Sequence, residues 1–466
     1  MFDKHQFDKT ILREYDIRGI VGQTLRESDA YAVGRSFGTL VRAKGGKRVA
    51  VGYDGRTSSP SFEAALVQGL HAAGIDTVQI GMGPTPMLYY AVHELAVDGG
   101  IQVTGSHNPP SHNGFKLMLG RSSFYGESIQ KLAQIAEKGQ WQNAETKGKG
   151  VKQSVEADYS ARMLRDLKFG RAMSCVWDCG NGATGDIVRK LVPQLPGKHH
   201  LLFAEIDGRF PNHHPDPTEP KNLVDLQRAM EQQGADLGFA FDGDGDRIGM
   251  VDNRGQILWG DQILSLLAAP ILARLPGATV IADIKASQGL FDEIARLGGT
   301  PLMWRTGHSL IKAKLKETNA PLAGEMSGHI FIADNYYGFD DAVYVALRML
   351  ELVSNQAQSL SQMTEHLPKW INTPELRFDC SDQRKFEVIA EVKQRIRLEQ
   401  SKGMACEINE IDGLRLSTSD GWWLLRASNT QAVLVARAES HSSEGLLRLK
   451  QQLRSQLAAS NIDFPE

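Results

Sequence analysis

Three stretches of this chain repeat one layout: an apolar strand, an acid at or near its end, a polar turn, a helix and a second strand. The first runs Arg48-Val49-Ala50-Val51-Gly52-Tyr53-Asp54, then a helical pattern near 60–73, then IDTVQIG at 75–81. The second is Cys175-Val176-Trp177-Asp178, a helix near 185–194, then LLFAEID at 201–207. The third is Thr279-Val280-Ile281-Ala282-Asp283, a helix near 288–297, then TPLMWRTG at 300–307. Strands alternating with helices at this rhythm form βαβ units with parallel strands. Three of them imply three related α/β domains with mixed, mainly parallel sheets. Residues 141–157 are polar, lack apolar periodicity and read as a linker. Trp259-Gly260-Asp261 opens the third unit. Beyond Pro368 the pattern becomes α+β, with a helix over 386–397 and paired strands at Gly421–Arg426 and Ala432–Ala436. The expected division is 1–152, 153–256, 257–367 and a smaller α+β domain at 368–466.

Length agrees with this division, because 466 residues exceed one ordinary core. The charge is nearly balanced, 52 basic against 55 acidic residues, which argues against non-specific attraction to nucleic acid or an anionic membrane. No run of about 18 apolar residues offers a membrane span, and the charged start MFDKHQFDK lacks the apolar core of a secretory signal. Cys175 and Cys179 read as one strand, roughly 13 Å apart and too far to bridge. Cys380 and Cys406 show no metal-ligand spacing. A reduced, cytoplasmic protein is expected.

The run Asp242-Gly243-Asp244-Gly245-Asp246-Arg247 carries the strongest chemical signal. Glycine spacers let the backbone fold back, so three carboxylates can converge on one point. Converging negative charges repel unless a cation sits among them. An EF-hand would need Gly and Glu where Arg247 and Asn253 stand. All-oxygen ligation without nearby His or Cys favours Mg²⁺ or Mn²⁺ over Zn²⁺. Mg²⁺ completes its shell with water or phosphate oxygen, so the loop suits a phosphorylated partner. Arg247 either clamps that phosphate or pairs with an acid of its own loop.

Gly180-Asn181-Gly182-Ala183-Thr184-Gly185 matches the dinucleotide fingerprint, with Glu205 near the end of the next strand. A buried charge at Asp178 would oppose a pyrophosphate there, and a turn built from glycines is the simpler reading. Val103-Thr104-Gly105-Ser106-His107-Asn108-Pro109-Pro110 presents a hydroxyl at a strand end, followed by Asn113-Gly114-Phe115-Lys116. Such a serine is placed for attack or for carrying a group, and equally for capping a turn.

Taken together, SHNP with NGFKL, DGDGDR, GEMSGH at 324–329, RASNT at 426–430 and Tyr15-Asp16-Ile17-Arg18-Gly19 resemble the α-D-phosphohexomutase superfamily, in its bacterial phosphomannomutase/phosphoglucomutase branch. The motifs fall in family order and span essentially the whole chain.

The resemblance implies a phosphoryl group on Ser106 and a metal held by Asp242, Asp244, Asp246 and that phosphoserine. It implies interconversion of hexose 1- and 6-phosphates, of mannose and glucose, through a 1,6-bisphosphate. One Mg²⁺ per chain is expected, with glucose 1,6-bisphosphate as activator or intermediate. Arg18 and Lys116 would supply positive field, and Lys116, His107 or His329 would move the proton. The sugar would be gripped by Glu325, Met326, Ser327, Gly328 and His329, with Tyr15, Lys285 and His308 also touching substrate. Arg247 and the loop Arg426, Ala427, Ser428, Asn429 and Thr430 would hold phosphate. Each domain would then contribute one loop to a central cleft, carrying serine, metal, sugar and phosphate in turn, and the fourth would close over the ligand. The partner is a phosphosugar, with no nucleic acid or membrane; a monomer is expected, and a dimer fits as well. Phosphoglucosamine mutase is the near alternative, and its loops differ from Met326 and from Ser428-Asn429-Thr430. A metal-dependent sugar phosphatase is the alternative outside the mutases.

Overall fold

The computed structural model describes residues 3–429 and 431–464, and four sheets organise them. The first has seven strands, ordered Ile17–Ile20, His112–Leu119, Gly99–Val103, Arg48–Tyr53, Asp76–Met82 and Gly150–Lys152, with Ser122–Phe124 beside His112–Leu119. Parallel pairing joins Arg48–Tyr53 to both neighbours. Pairing turns antiparallel at His112–Leu119. Gly99–Val103 is buried along its whole length, as a central strand covered on both faces should be. Helices Glu27–Ala43 and Ser59–Ala72 meet almost backbone to backbone, because Gly34 and Gly69 lie at the crossing. A Cβ at either would fall 2.2 Å from a carbonyl of the other helix.

The second sheet runs Ile257–Leu258, Ile248–Asp252, Leu237–Phe241, Met173–Asp178, Gly197–Leu202. The third runs Thr300–Trp304, Thr279–Asp283, Leu322–Gly324, Ile330–Ile332. Both are mixed, so the α/β reading with mixed sheets holds for all three units. Their cores are continuous: helix Ala342–Ser354, which follows the third sheet, packs against Leu237–Phe241 and Ile248–Asp252 of the second. The fourth sheet is antiparallel throughout, with helices Arg384–Ser401 and Ser443–Ala458. Its strand Gly421–Ala427 shows why Trp422-Trp423-Leu424-Leu425 is apolar without alternation. Successive strand residues face opposite ways. Trp423 and Leu425 join the core beneath the two helices, while Trp422 and Leu424 pack on Ile284 of the third unit.

Three local expectations need correction. The second strand of the second unit is Gly197–Leu202, not 201–207, so Glu205 lies in the following loop. The strand alternates too weakly to mark its start, and its polar residues Lys198, His199 and His200 hid it. The 141–157 stretch is not all linker, because Gly150–Lys152 pairs with Asp76–Met82 as an edge strand and a helix begins at Glu156. Cys179 sits just past strand Met173–Asp178 rather than within it; both thiols are free and buried. Among the described residues no helix is long and apolar enough to cross a membrane.

Candidate active site

The serine loop leaves the C-terminal end of Gly99–Val103 and is held from below by two buried side chains. Asp54, at the end of the adjacent strand, accepts from Thr104 Oγ1 (2.8 Å) and from the Gly105 amide (3.1 Å). Arg56 uses all five side-chain N–H donors. Nε reaches Asp54, Nη1 the carbonyls of Pro109 (2.6 Å) and His112 (3.0 Å), and Nη2 those of Ser106 (2.7 Å) and Asn108 (2.6 Å). Gly105 is needed here, since a Cβ would lie 2.4 Å from the guanidinium carbon. Ser106 itself is held at φ 50°, an uncommon conformation for a residue with a Cβ, and the loop over-determines it.

The acidic run is a hairpin loop between Leu237–Phe241 and Ile248–Asp252, with Phe241 paired to Ile248. All three carboxylates are fully buried. Asp242 Oδ1 accepts the amides of Asp246 (3.0 Å) and Arg247 (3.1 Å), closing the loop on itself. Asp242 Oδ2 accepts from Ser106 Oγ at 3.1 Å. Lys116 Nζ donates to Asp244 (2.8 Å) and to Asp246, and Thr85 Oγ1 donates to Asp244. The ligand oxygens of the three acids lie within 4.8 Å of one another.

Charge here is unbalanced. Burial, with Asp244 and Asp246 alongside, pushes the Asp242 carboxyl well above the usual range. Burial opposes ionisation of Asp244 too, but Lys116 and Thr85 hold its pKa below the ordinary value. Lys116 stays an ammonium, since the three aspartates outweigh its own desolvation. One ammonium among three buried carboxylates leaves Asp244 Oδ1 and Asp246 Oδ1 without a hydrogen-bond partner. An all-oxygen set with two unmatched anionic oxygens fits a hard divalent cation.

The other loops converge on the same place. GEMSGH is the turn between Leu322–Gly324 and Ile330–Ile332, docked on the acidic hairpin by the Ile248 amide donating to the Gly328 carbonyl (3.1 Å). Glu325 Oε1 accepts the Gly307 amide (2.6 Å), and the Met326 amide donates to Asp283 (3.1 Å). Burial raises Asp283 to about 6, although Lys285 partly offsets it. Lys285 Nζ pairs with Glu375 of the fourth unit at 3.2 Å. Arg247 Nε donates to His329 Nε2 (2.9 Å) rather than to an acid of its own loop. His308 stacks on His329, ring centroids 5.3 Å apart.

In the fourth unit Arg426 Nε donates to Asp412 (3.0 Å), while its buried Nη2 has no partner. The Ser428 amide donates to the Val433 carbonyl, and its hydroxyl accepts the Gln431 amide (3.2 Å). Thr430 lies outside the described residues. Tyr15 ties three units together, donating to the Thr306 carbonyl (2.6 Å) and accepting from Asn429. Arg18 is held by Asp16 and donates to Asn108 of the serine loop (3.2 Å). His107 Nδ1 is 3.2 Å from Ser106 Oγ, and burial with nearby Arg247, Arg18 and Lys116 keeps the ring neutral. Ala427 ends the strand before the loop, and Ser327 stands half-buried at the GEMSGH turn.

Several residues of this cleft escaped the sequence reading. Arg56 stands two places after the strand-end Asp54, a DGR signal that could have drawn notice. Asp340, in Gly338-Phe339-Asp340-Asp341, carried a similar acidic cue. Thr85 and Asp412 carried none. The dinucleotide reading fails on geometry: the face of Gly182 that would meet a pyrophosphate is covered by the acidic hairpin, with the Gly243 carbonyl 3.0 Å from a hypothetical Cβ, and the Ala183 amide already donates to that carbonyl. The glycine turn therefore braces the acidic hairpin.

A hydroxyl against a caged acidic triplet, ringed by Arg, Lys and His, defines a site for moving phosphoryl groups. Models of the phosphoglucomutase/phosphomannomutase alpha/beta/alpha domains I, II and III match residues 9–143, 156–255 and 259–370, and that of the C-terminal domain matches 375–456. A phosphomannomutase/phosphoglucomutase from Pseudomonas putida is 44% identical over 448 residues, covering 96% of this chain and 95% of the relative. One from Pseudomonas aeruginosa is 42% identical over 458 residues, covering 98% and 97%. A crystal structure of a phosphoglucomutase/phosphomannomutase family protein from Burkholderia thailandensis superposes with a TM-score of 0.92 at 42% identity, over 98% of this chain and all of that one. This chain belongs to the phosphoglucomutase/phosphomannomutase family.

Proposed function

We propose that the chain is a phosphohexose mutase, an isomerase that interconverts the 1- and 6-phosphates of mannose and glucose. Transfer runs through a phosphoserine at Ser106 and a hexose 1,6-bisphosphate, with glucose 1,6-bisphosphate as activator. One observation carries this reading: Ser106 Oγ lies 3.1 Å from Asp242, although hydroxyl and carboxylate come from different sheets.

Asp242, Asp244 and Asp246, with an oxygen of the phosphorylated serine, would hold Mg²⁺, which when bound neutralises charge on the transferring group. Lys116 and Arg18 add fixed positive charge around the same point. Lys116 is already protonated and cannot accept the sugar proton. His107 is neutral beside Ser106 and orients its oxygen. His329 offers the lone pair of Nε2, the atom that accepts from Arg247 in the free protein, and takes the proton of the attacking hydroxyl. As the O–P bond to the sugar forms, the Ser106 Oγ–P bond breaks and Oγ keeps the electron pair, as the alkoxide that takes phosphate back in the second transfer. The bisphosphate then turns and returns its other phosphate to Ser106.

The non-reacting phosphate must be gripped alike in both orientations. Arg426, with its unmatched buried Nη2, supplies that grip together with Ser428, Asn429 and Thr430. Arg247 adds a second clamp once it leaves His329. Glu325, Ser327 and the Met326–Gly328 backbone face the sugar, and Tyr15, Lys285 and His308 close the rim. The fourth unit would swing on its contacts with the third to admit and release ligand.

The test is Ser106→Ala. Intact mass of the parent protein should include a species heavier by one phosphate, discharged by excess sugar monophosphate. The variant should lack that species and lose turnover by orders of magnitude while still binding sugar phosphate. Undiminished turnover would sink the phosphoserine.

A further inference from the structure

Behind the sugar loop, Asp246, His329 and Asp340 gather ligand atoms within 4.8 Å of one another, the spacing of a second metal site. Arg247 decides against a metal there. Its Nε–H can only donate, so at 2.9 Å His329 Nε2 must present a lone pair. The neutral ring then carries its proton on Nδ1, the atom that faces Asp340 Oδ2 at 3.0 Å and Asp246 Oδ1 at 3.6 Å. Nδ1 is a donor in this arrangement, not a ligand.

Asp340 is built to receive that proton. It is fully buried, and Oδ1 is anchored by Lys312 Nζ at 2.8 Å, itself over the Tyr89 ring. Oδ2 and His329 Nδ1 have no other hydrogen-bond partner, and at 3.0 Å they face each other without a formed hydrogen bond. The approach is close but bent, as catalytic contacts often are before substrate aligns them. The stacked ring of His308 stops His329 from tilting away, and its own Nδ1 is 3.8 Å from Asp340.

We propose that Asp340 is a positioning residue for His329, holding the proton on Nδ1 so that Nε2 keeps its lone pair for the sugar hydroxyl. This rests on the reading of His329 as proton acceptor. In the free protein Arg247 uses that lone pair. When substrate enters, Arg247 turns to the phosphate and the hydroxyl takes its place. The hydroxyl proton passes to Nε2 as the new O–P bond forms, and the Asp340 carboxylate balances the imidazolium until the proton returns in the second transfer. No oxidant or further reactant is needed.

The test is Asp340→Asn, nearly isosteric, with Lys312→Met as a second variant that leaves the carboxylate but removes its anchor. The Asn amide can donate to Nδ1 and drive the proton to Nε2, where it opposes Arg247. kcat should fall by about 10²-fold or more, the scale of a lost general base, with KM little changed. Lys312→Met should fall less. The readout that packing alone would not move is the tautomer of His329. Imidazole ¹H–¹⁵N correlations, assigned with His329→Asn, should show the Nδ1–H form in the parent protein and its loss in Asp340→Asn.

A folded Asp340→Asn protein with parental kcat, or a parent His329 protonated on Nε2, would overturn the proposal. A kcat loss with unchanged tautomer would mark Asp340 as merely structural and also overturn it. Full activity in His329→Asn would instead defeat the proton-acceptor reading on which the proposal stands.

Discussion

Arg56→Lys isolates the device that holds the serine loop. Arginine meets five acceptors, four of them carbonyls between Ser106 and His112, the first residue of the next strand. Lysine keeps the charge but has three donors at one point, so at least two acceptors lose theirs. A hydrogen bond from a charged donor contributes about 1.5–3 kcal/mol net, which puts the loss at about 3–6 kcal/mol. That is a large share of the roughly 5–15 kcal/mol that stabilises a folded domain. Phe210 of the second unit, 5.2 Å from the guanidinium, also loses its stacking partner. Ser106 should relax from its left-handed conformation, and a shift of about 1 Å at a reacting atom costs roughly 10²-fold in rate. The assays are kcat for conversion of glucose 1-phosphate to glucose 6-phosphate and the urea midpoint. Both should fall. A variant with parental kcat and an unmoved midpoint would show that the arginine does not govern the loop.

Two further outcomes follow from the same geometry. Asp244→Asn removes one member of the acidic triplet, so the Mg²⁺ concentration giving half-maximal rate should rise by at least about tenfold; an unchanged Mg²⁺ titration would refute the metal assignment. His213 is paired with the buried Asp178 at 3.0 Å, and although burial alone would lower its pKa, the Asp178 hydrogen bond and charge raise it above 6.5. A raised folded-state value means stability that is complete below about pH 6.5 and is lost as pH climbs through the higher value. Thermal unfolding followed from pH 6 to 9 should show this decline, and His213→Gln should flatten it; an equal slope in both proteins would refute the pairing.

The chemistry of the site was legible because its loops are short, local and unusual in composition. Asp-Gly-Asp-Gly-Asp can serve few purposes, and glycine spacing alone predicted that the acids converge, as the hairpin shows. The repeat of strand, turn and helix was legible because apolar periodicity survives in each unit. The edge strands were not. Gly197–Leu202 and Gly150–Lys152 lie at sheet margins, where one flank is bonded and solvent tolerates polar residues. Neither Thr85 nor Asp412 stands in a pattern that sets it apart from an ordinary turn residue.

By itself, then, the order of residues determined the kinds of units, the acidic cage, the presented serine and the likeness to phosphohexomutases, because these depend on neighbours along the chain. Folding in three dimensions decided which of those pieces meet. It set Ser106 against Asp242, placed Lys116 between two carboxylates, and put Arg247 and Asp340 on opposite nitrogens of His329. Such pairings join residues from eleven (329 to 340) to more than a hundred positions apart. Their partners and proton states are set by packing and burial, which no local pattern encodes.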